Sequence, residues 1–224
     1  MWKNGEADND GKQGMTLKLY YAPGTCALAS HIALEEAGAK YEAVRLSFRA
    51  NQQQTPEYLA INPKGRVPAL ITAAGTLTET PAILAYVAQS FPAAGLAPLA
   101  DAFAFGRVQS FNSYLCSTVH VAHAHRMRGY RWADDPAAHA AMQKKVPATV
   151  GACFDLIERE MFAGPWVTGD RYTICDPYLF TLAQWLEADG VDPAQFPKVF
   201  DHRRRMAERP AVKRALAAEL GAQP

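Results

Sequence analysis

The chain has 224 residues, a formal net charge of +1 and 49% hydrophobic residues. That balance belongs to a globular protein and excludes a disordered or collagen-like chain. Near-neutral charge argues against nucleic acid or an anionic membrane as the main partner, and no apolar run approaches membrane-spanning length.

The first fifteen residues, MWKNGEADNDGKQGM, lack the apolar core of a signal peptide and read as a disordered leader. Thr16–Ala22 (TLKLYYA) reads as a buried strand. After the Pro23-Gly24 turn, ALASHIALEEAG has helical period, with Gly38 as its stop. YEAVRLSF alternates like a second strand, so residues 17–48 read as a parallel strand–helix–strand crossover. A polar stretch with a short helix at 56–60 follows. RVPALIT and TLTE then read as a hairpin, and TPAILAYVAQSFP as a helix with Thr80 as N-cap and Pro81 at its first position. The expected order is βαβ, loop, ββα over residues 16–92, and a Pro/Gly/Ala-rich linker over 93–100.

From residue 101 to 224 the patterns are all helical. FAFGRVQSFNSYLCSTVHVAHAHRM makes a long helix; AAMQKKVPATVGACFDLIEREM makes a second that Pro147 can kink; TICDPYLFTLAQWLEADG makes a third, and two more follow. Thr173 and Asp176 have capping-box spacing: the Thr173 hydroxyl is placed to accept from the N–H three residues on, and the Asp176 carboxylate to reach back.

The four cysteines, at 26, 116, 153 and 175, show no paired spacing. Neither a disulfide framework nor a zinc site is expected, and a reducing, cytoplasmic setting fits. Cys26 falls where the strand-to-helix turn enters a helix. Unpaired N–H groups and the positive end of the macrodipole favour a thiolate there, which predicts a lowered pKa; the alternative is a buried, inert cysteine. Val67-Pro68 stands at the entry to a strand, where proline cannot donate to a ladder. A cis bond there lets Val67 offer its backbone to an extended peptide. Glu79 and Thr80 stand where a strand ends and a helix begins: the helix N-terminus suits a carboxylate and Glu79 suits an ammonium, although plain capping accounts for each residue alone. Of His120, His123 and His125, only the first two share a helix face, so a metal site is not expected.

KLYYAPGTCALASHIALEEAG, NPKGRVPAL, LTETPAILAYVAQ and TICDPYLFTLAQW occur in the order in which similar motifs occur in the cytosolic glutathione S-transferases. The cysteine after the Pro-Gly turn is similar to the bacterial beta class, and the resemblance runs from about Thr16 to the C-terminus. It implies an α/β thioredoxin-like N-terminal domain, an all-α C-terminal domain, a homodimer and glutathione as co-substrate, with no metal. It implies that Val67 and Pro68 hold the cysteinyl part of glutathione, that Glu79 and Thr80 hold its γ-glutamyl end, that Thr25 and Arg66 belong to the same pocket, and that Cys26 approaches the glutathione sulfur. His120 matches a histidine that the beta class brings from the helical domain, and its charged form would favour a thiolate. Tyr21, His123, Arg126 and Trp185 are expected around the second substrate, a small-molecule electrophile of the kind met in detoxification.

Three functions follow from this resemblance. The first is a transferase that stabilises the glutathione thiolate for conjugation. The second is a glutathione-dependent thiol–disulfide oxidoreductase using Cys26. The third is a non-catalytic ligand-binding or interaction module of the same fold.

Overall fold

The structure is a computed structural model that describes residues 17–221. The expected leader lies outside them. β1 (Leu17–Tyr21), α1 (Ala27–Glu36) and β2 (Tyr41–Arg45) make the expected crossover, with Leu17 opposite Tyr41 and Tyr21 opposite Arg45 in parallel register. α2 (Pro56–Ile61) follows, then β3 (Ala69–Thr72), β4 (Gly75–Thr78) and α3 (Thr80–Ser90). The sheet order is β2-β1-β3-β4, with β3 antiparallel to both neighbours. The N-terminal half is therefore the thioredoxin-like βαβ, loop, ββα arrangement.

The second half is helical among its described residues. α4 (Ala102–Tyr114) runs through a π-helical turn, Leu115–Val119, into α5 (His120–Ala124). The Asp101 carboxylate starts α4 by accepting from Phe103 N and Ala104 N at 3.0 Å each. α6 (Pro136–Leu156) continues through Pro147. α7 (Cys175–Ala183), α8 (Pro197–Glu208) and α9 (Pro210–Leu220) close the fold. All nine residues of α7 are buried, and so are eight of the ten in α1. These two helices pack against each other, and α9 packs on α1 from another side. A helix apolar all round must be enclosed by neighbours.

The entry to α7 differs in detail from the expected capping box. The Thr173 hydroxyl accepts from Cys175 N, two residues on, at 3.4 Å. The Asp176 carboxylate does reach back, accepting from Thr173 N at 2.7 Å. It also accepts from Val167 N at 2.9 Å and pairs with His202 Nε2 at 3.0 Å, tying α7 to the preceding loop and to α8. Asp176 and His202 are both wholly buried. Removing one partner of such a network leaves the others desolvated and unpaired. Asp176→Ala is expected to cost on the order of 3 kcal/mol or more in denaturant unfolding, against about 1 kcal/mol for Thr173→Ala. Equal losses would mean that Asp176 is only a cap.

Candidate active site

β1 ends at Tyr21, and Pro23-Gly24 turns the chain into α1 with Gly24 at φ 70°. Cys26 stands as N-cap of α1, in right-handed helical geometry and with no side-chain cap bond. The free N–H groups of that first turn are already taken. Ala27 N donates to Thr25 Oγ1 at 3.3 Å, Leu28 N to Thr25 O at 3.2 Å, and Ala29 N to Cys26 O at 3.2 Å. Thr25 Oγ1 in turn donates to Ala22 O at 2.7 Å. The Cys26 thiol points elsewhere and donates to Val67 O at 3.5 Å.

The Cys26 side chain keeps some exposure yet packs against the main core. Burial pushes its thiol up to about 11, outweighing the Thr80 hydroxyl and Arg128 guanidinium that act to lower it. The lowered pKa expected from the helix N-terminus is thus corrected: the donors that would stabilise a thiolate are spent on Thr25 and the backbone.

The opposite wall comes from the loop before β3 and the start of α3. Val67-Pro68 is cis. The Arg66 carbonyl is held by Tyr58 Oη at 2.7 Å and Asn62 Nδ2 at 2.6 Å. Gly65, at φ 59°, lets Gln54 close over the loop; a Cβ there would stand 2.5 Å from Gln54 Nε2. The N-cap of α3 is Glu79, at φ 72°, one residue before the expected Thr80, which is itself buried within the first turn. The Glu79 carboxylate makes no cap bond; it pairs with Lys64, which also donates to Thr78 Oγ1 at 2.7 Å. Thr80 N–H and Ala82 N–H, on either side of the donorless Pro81, have no protein acceptor among the described residues.

The helical half supplies the third wall. His123 stacks on Trp185 with ring centres 4.2 Å apart and planes at 26°, and His120 leans on the same indole at 5.2 Å. The buried Asp189 carboxylate fixes His123 through Nδ1 at 2.7 Å. Thr25, Cys26, Arg66, Val67, Pro68, Glu79, Thr80, His120, His123 and Trp185 all line one cavity of about 450 Å³.

Two expected pocket residues are absent from it. Tyr21 is buried beneath the turn, its hydroxyl donating to Ala218 O of α9 at 3.2 Å. Arg126 turns towards the segment after α7, donating to Ala188 O at 2.9 Å and pairing with Asp189 at 3.2 Å. The charge expected on His120 is corrected as well: burial, reinforced by His123, Arg128, Arg131 and Arg66, lowers its pKa to about 4, so the ring is neutral at pH 7. No group of three or more His, Cys, Asp or Glu side chains gathers to hold a metal among the described residues.

Residues 15–89 match the family model of the glutathione S-transferase N-terminal domain, and residues 117–210 match that of its C-terminal domain. The chain belongs to the glutathione S-transferase family. It is 35% identical to glutathione S-transferase GstA of Escherichia coli O157:H7, over 91% of this chain and 98% of that protein. Among solved structures it is similar to a glutathione transferase homolog from Sulfitobacter with bound glutathione, at 45% identity and TM-score 0.88, over 93% of this chain and 99% of that one. It is also similar to a bacterial beta class glutathione S-transferase of Sphingomonas chungbukensis, at 33% identity and TM-score 0.78, over 90% of this chain and 98% of that one.

In this family member the cavity also holds residues that sequence reading passed over. Tyr178 of α7 and Cys116 of the π-helical turn line it, so a second thiol shares the cavity with Cys26. So do Arg128, Tyr130, Arg131 and Trp132, whose alternation of cation and aromatic just past a helix was the one available signal. With Cys26 protonated, its alkylation rate is expected to keep climbing past pH 9 when followed by peptide mass. A plateau below about pH 8.5, the ordinary free-thiol value, would show that the helix N-terminus prevails over burial.

Proposed function

We propose that this enzyme conjugates glutathione to small electrophiles and that the nucleophile is the glutathione sulfur, not Cys26. The observation that carries this reading is the convergence on one cavity of a protonated Cys26, the Val67 backbone beside a cis proline, the open N-terminus of α3 and a neutral His120. The γ-glutamyl end has an obvious seat: its carboxylate against Thr80 N–H, Ala82 N–H and the Thr80 hydroxyl, its ammonium against Glu79 in place of Lys64. The cysteinyl part pairs with the Val67 backbone as an added strand. Thr25 shapes the turn, and Arg66 offers a cation to the glycyl carboxylate.

The glutathione thiol gives its proton to solvent. The sulfur then attacks the electrophile and forms the carbon–sulfur bond, and the leaving group departs with its electron pair. The Cys26 S–H, turned from Val67 O, and the neutral His120 N–H act as donors to the thiolate and lower its cost. His123 and Trp185 make an apolar, aromatic seat for the electrophile. A homodimer in the cytoplasm, with most likeness to the beta class, completes the reading. Thiol–disulfide exchange is the lesser alternative, because a thiol held at about 11 is a poor attacking group at pH 7.

Steady-state rates on an aryl halide and on a glutathione mixed disulfide separate the two readings. Cys26→Ala is expected to keep conjugation within about tenfold of wild type, losing one weak donor. His120→Ala is expected to lower it further, by roughly ten- to a hundredfold. Abolished conjugation in Cys26→Ala with His120→Ala unaffected would reverse the assignment. Glu79→Ala is expected to weaken glutathione binding by about 1–3 kcal/mol in calorimetry; unchanged binding would remove the γ-glutamyl seat from this place.

A further inference from the structure

The fixed charges around the cavity are unequal. Arg66, Arg128 and Arg131 line it, against the single carboxylate of Glu79, which already pairs with Lys64. No described carboxylate lies in an ion pair with any of the three guanidiniums. Arg128 is partly buried, and burial together with repulsion from Arg131 and Arg66 acts against its charge. Gathering unpaired cations around one cavity is unfavourable unless an anion comes to them.

The segment that carries Arg128 and Arg131 is firmly placed. Gly129 lies so close to α6 that a Cβ would stand 3.1 Å from the His139 ring. His139 Nε2 bonds Ala133 O at 2.5 Å, and Trp132 meets the His125 ring edge-on at 4.4 Å. The two arginines flank Tyr130 and precede Trp132, so cations and flat apolar faces are offered together, in the cavity shared with His123 and Trp185. In the transferase reading, on which this inference rests, Glu79, Thr80 and Arg66 meet the charged ends of glutathione. Arg128 and Arg131 are left over.

We propose that Arg128 and Arg131 form a carboxylate-binding subsite for the second substrate, so that the enzyme selects planar electrophiles bearing negative charge. A guanidinium meets a carboxylate through paired N–H donors, and the neighbouring aromatic rings hold the flat body of the same molecule.

The probes are phthalate and its uncharged dimethyl ester, titrated calorimetrically into the full chain with and without saturating S-methylglutathione. Phthalate is expected to bind at least about tenfold more tightly than the ester, the scale of one good charge-assisted contact, and to do so with S-methylglutathione in place. Raising salt should weaken phthalate and leave the ester unchanged. The Arg128→Gln/Arg131→Gln protein should lose the preference while binding S-methylglutathione as wild type does. The wild-type salt series tests the subsite even if that variant folds poorly. Equal binding of the two probes, a preference that survives in the variant, or displacement of phthalate by S-methylglutathione would each overturn the subsite. Failure of wild type to bind S-methylglutathione, with the phthalate preference intact, would sink the transferase reading and leave the anion subsite standing.

Discussion

Everything at the site hangs on the enclosure of α1. The helix has no solvent-facing stripe over its first eight residues: Ala27, Leu28, Ala29, Ser30, His31, Ile32, Ala33 and Leu34 are all buried. The sheet takes one side, and α7 and α9 take others. Alanines let the neighbours approach closely, so the helix has little freedom to shift along its axis. Its exposed end is fastened by charge. Arg209 forms a two-pronged pair with Glu36 at 2.5 and 2.8 Å, and Arg214 pairs with Glu35, which also accepts from Tyr41 Oη at 2.6 Å. The other end is fastened by α9, where the buried Glu219 carboxylate accepts from Gly24 N at 3.0 Å. Cys26 is therefore positioned by contacts on every side of the helix that follows it.

The same enclosure decides the chemistry of the thiol. A helix N-terminus favours an anion only while its N–H groups are free, and the effect is worth roughly 0.3–2 kcal/mol. In α1 those groups are bonded to Thr25 and to the backbone, and the surroundings are apolar. Burial then dominates. At α3 the balance is reversed. Glu79 stands at positive φ and makes no cap bond, Pro81 has no N–H, and Thr80, which lines the cavity, has an N–H with no protein acceptor among the described residues. Two helices thus present their N-termini to one cavity, one closed and one open. That difference separates a place that holds a protonated thiol from a place suited to a carboxylate.

What the sequence disclosed follows the range of the interactions involved. Strand alternation, the Pro-Gly turn, the start of α1, that of α3 to within one residue, and the Asp176 reach-back are set by residues within one turn of each other, and they were legible. The closed end of α1 was not read, because the expectation for Cys26 took the first-turn N–H groups as unpaired and left out Thr25, whose hydroxyl accepts from Ala27 N. Tyr21 was misplaced because its hydroxyl partner lies 197 residues away in α9, and strand alternation alone cannot say which face another helix will cover. Arg126 was misplaced, and Arg128 lines the cavity instead, for a similar reason. α5 ends at Ala124, so helical spacing no longer sets the direction of either side chain, and the buried Asp189 claims Arg126. No local pattern announces which of the two a distant carboxylate will capture.

The distribution of charge that results has a mechanistic consequence. The groups proposed to donate to the reacting sulfur, Cys26 and His120, are both neutral at pH 7 because burial penalises their ionised forms. The permanent charges stand elsewhere on the lining: Glu79 with Lys64 by the start of α3, Arg128 and Arg131 beyond α5. In the proposed reading, a thiolate formed between them meets neutral hydrogen-bond donors, with Arg128 acting through its field, and is not locked into a tight ion pair that would have to break before it attacks. Donors that do not ionise stabilise the sulfur anion while leaving its lone pair available. A histidinium at the same position would hold the thiolate more strongly in the ground state than in the transition state, where the charge is leaving sulfur, and binding of that kind slows the chemical step. The burial that denies His120 its proton is, on this argument, what keeps the nucleophile reactive.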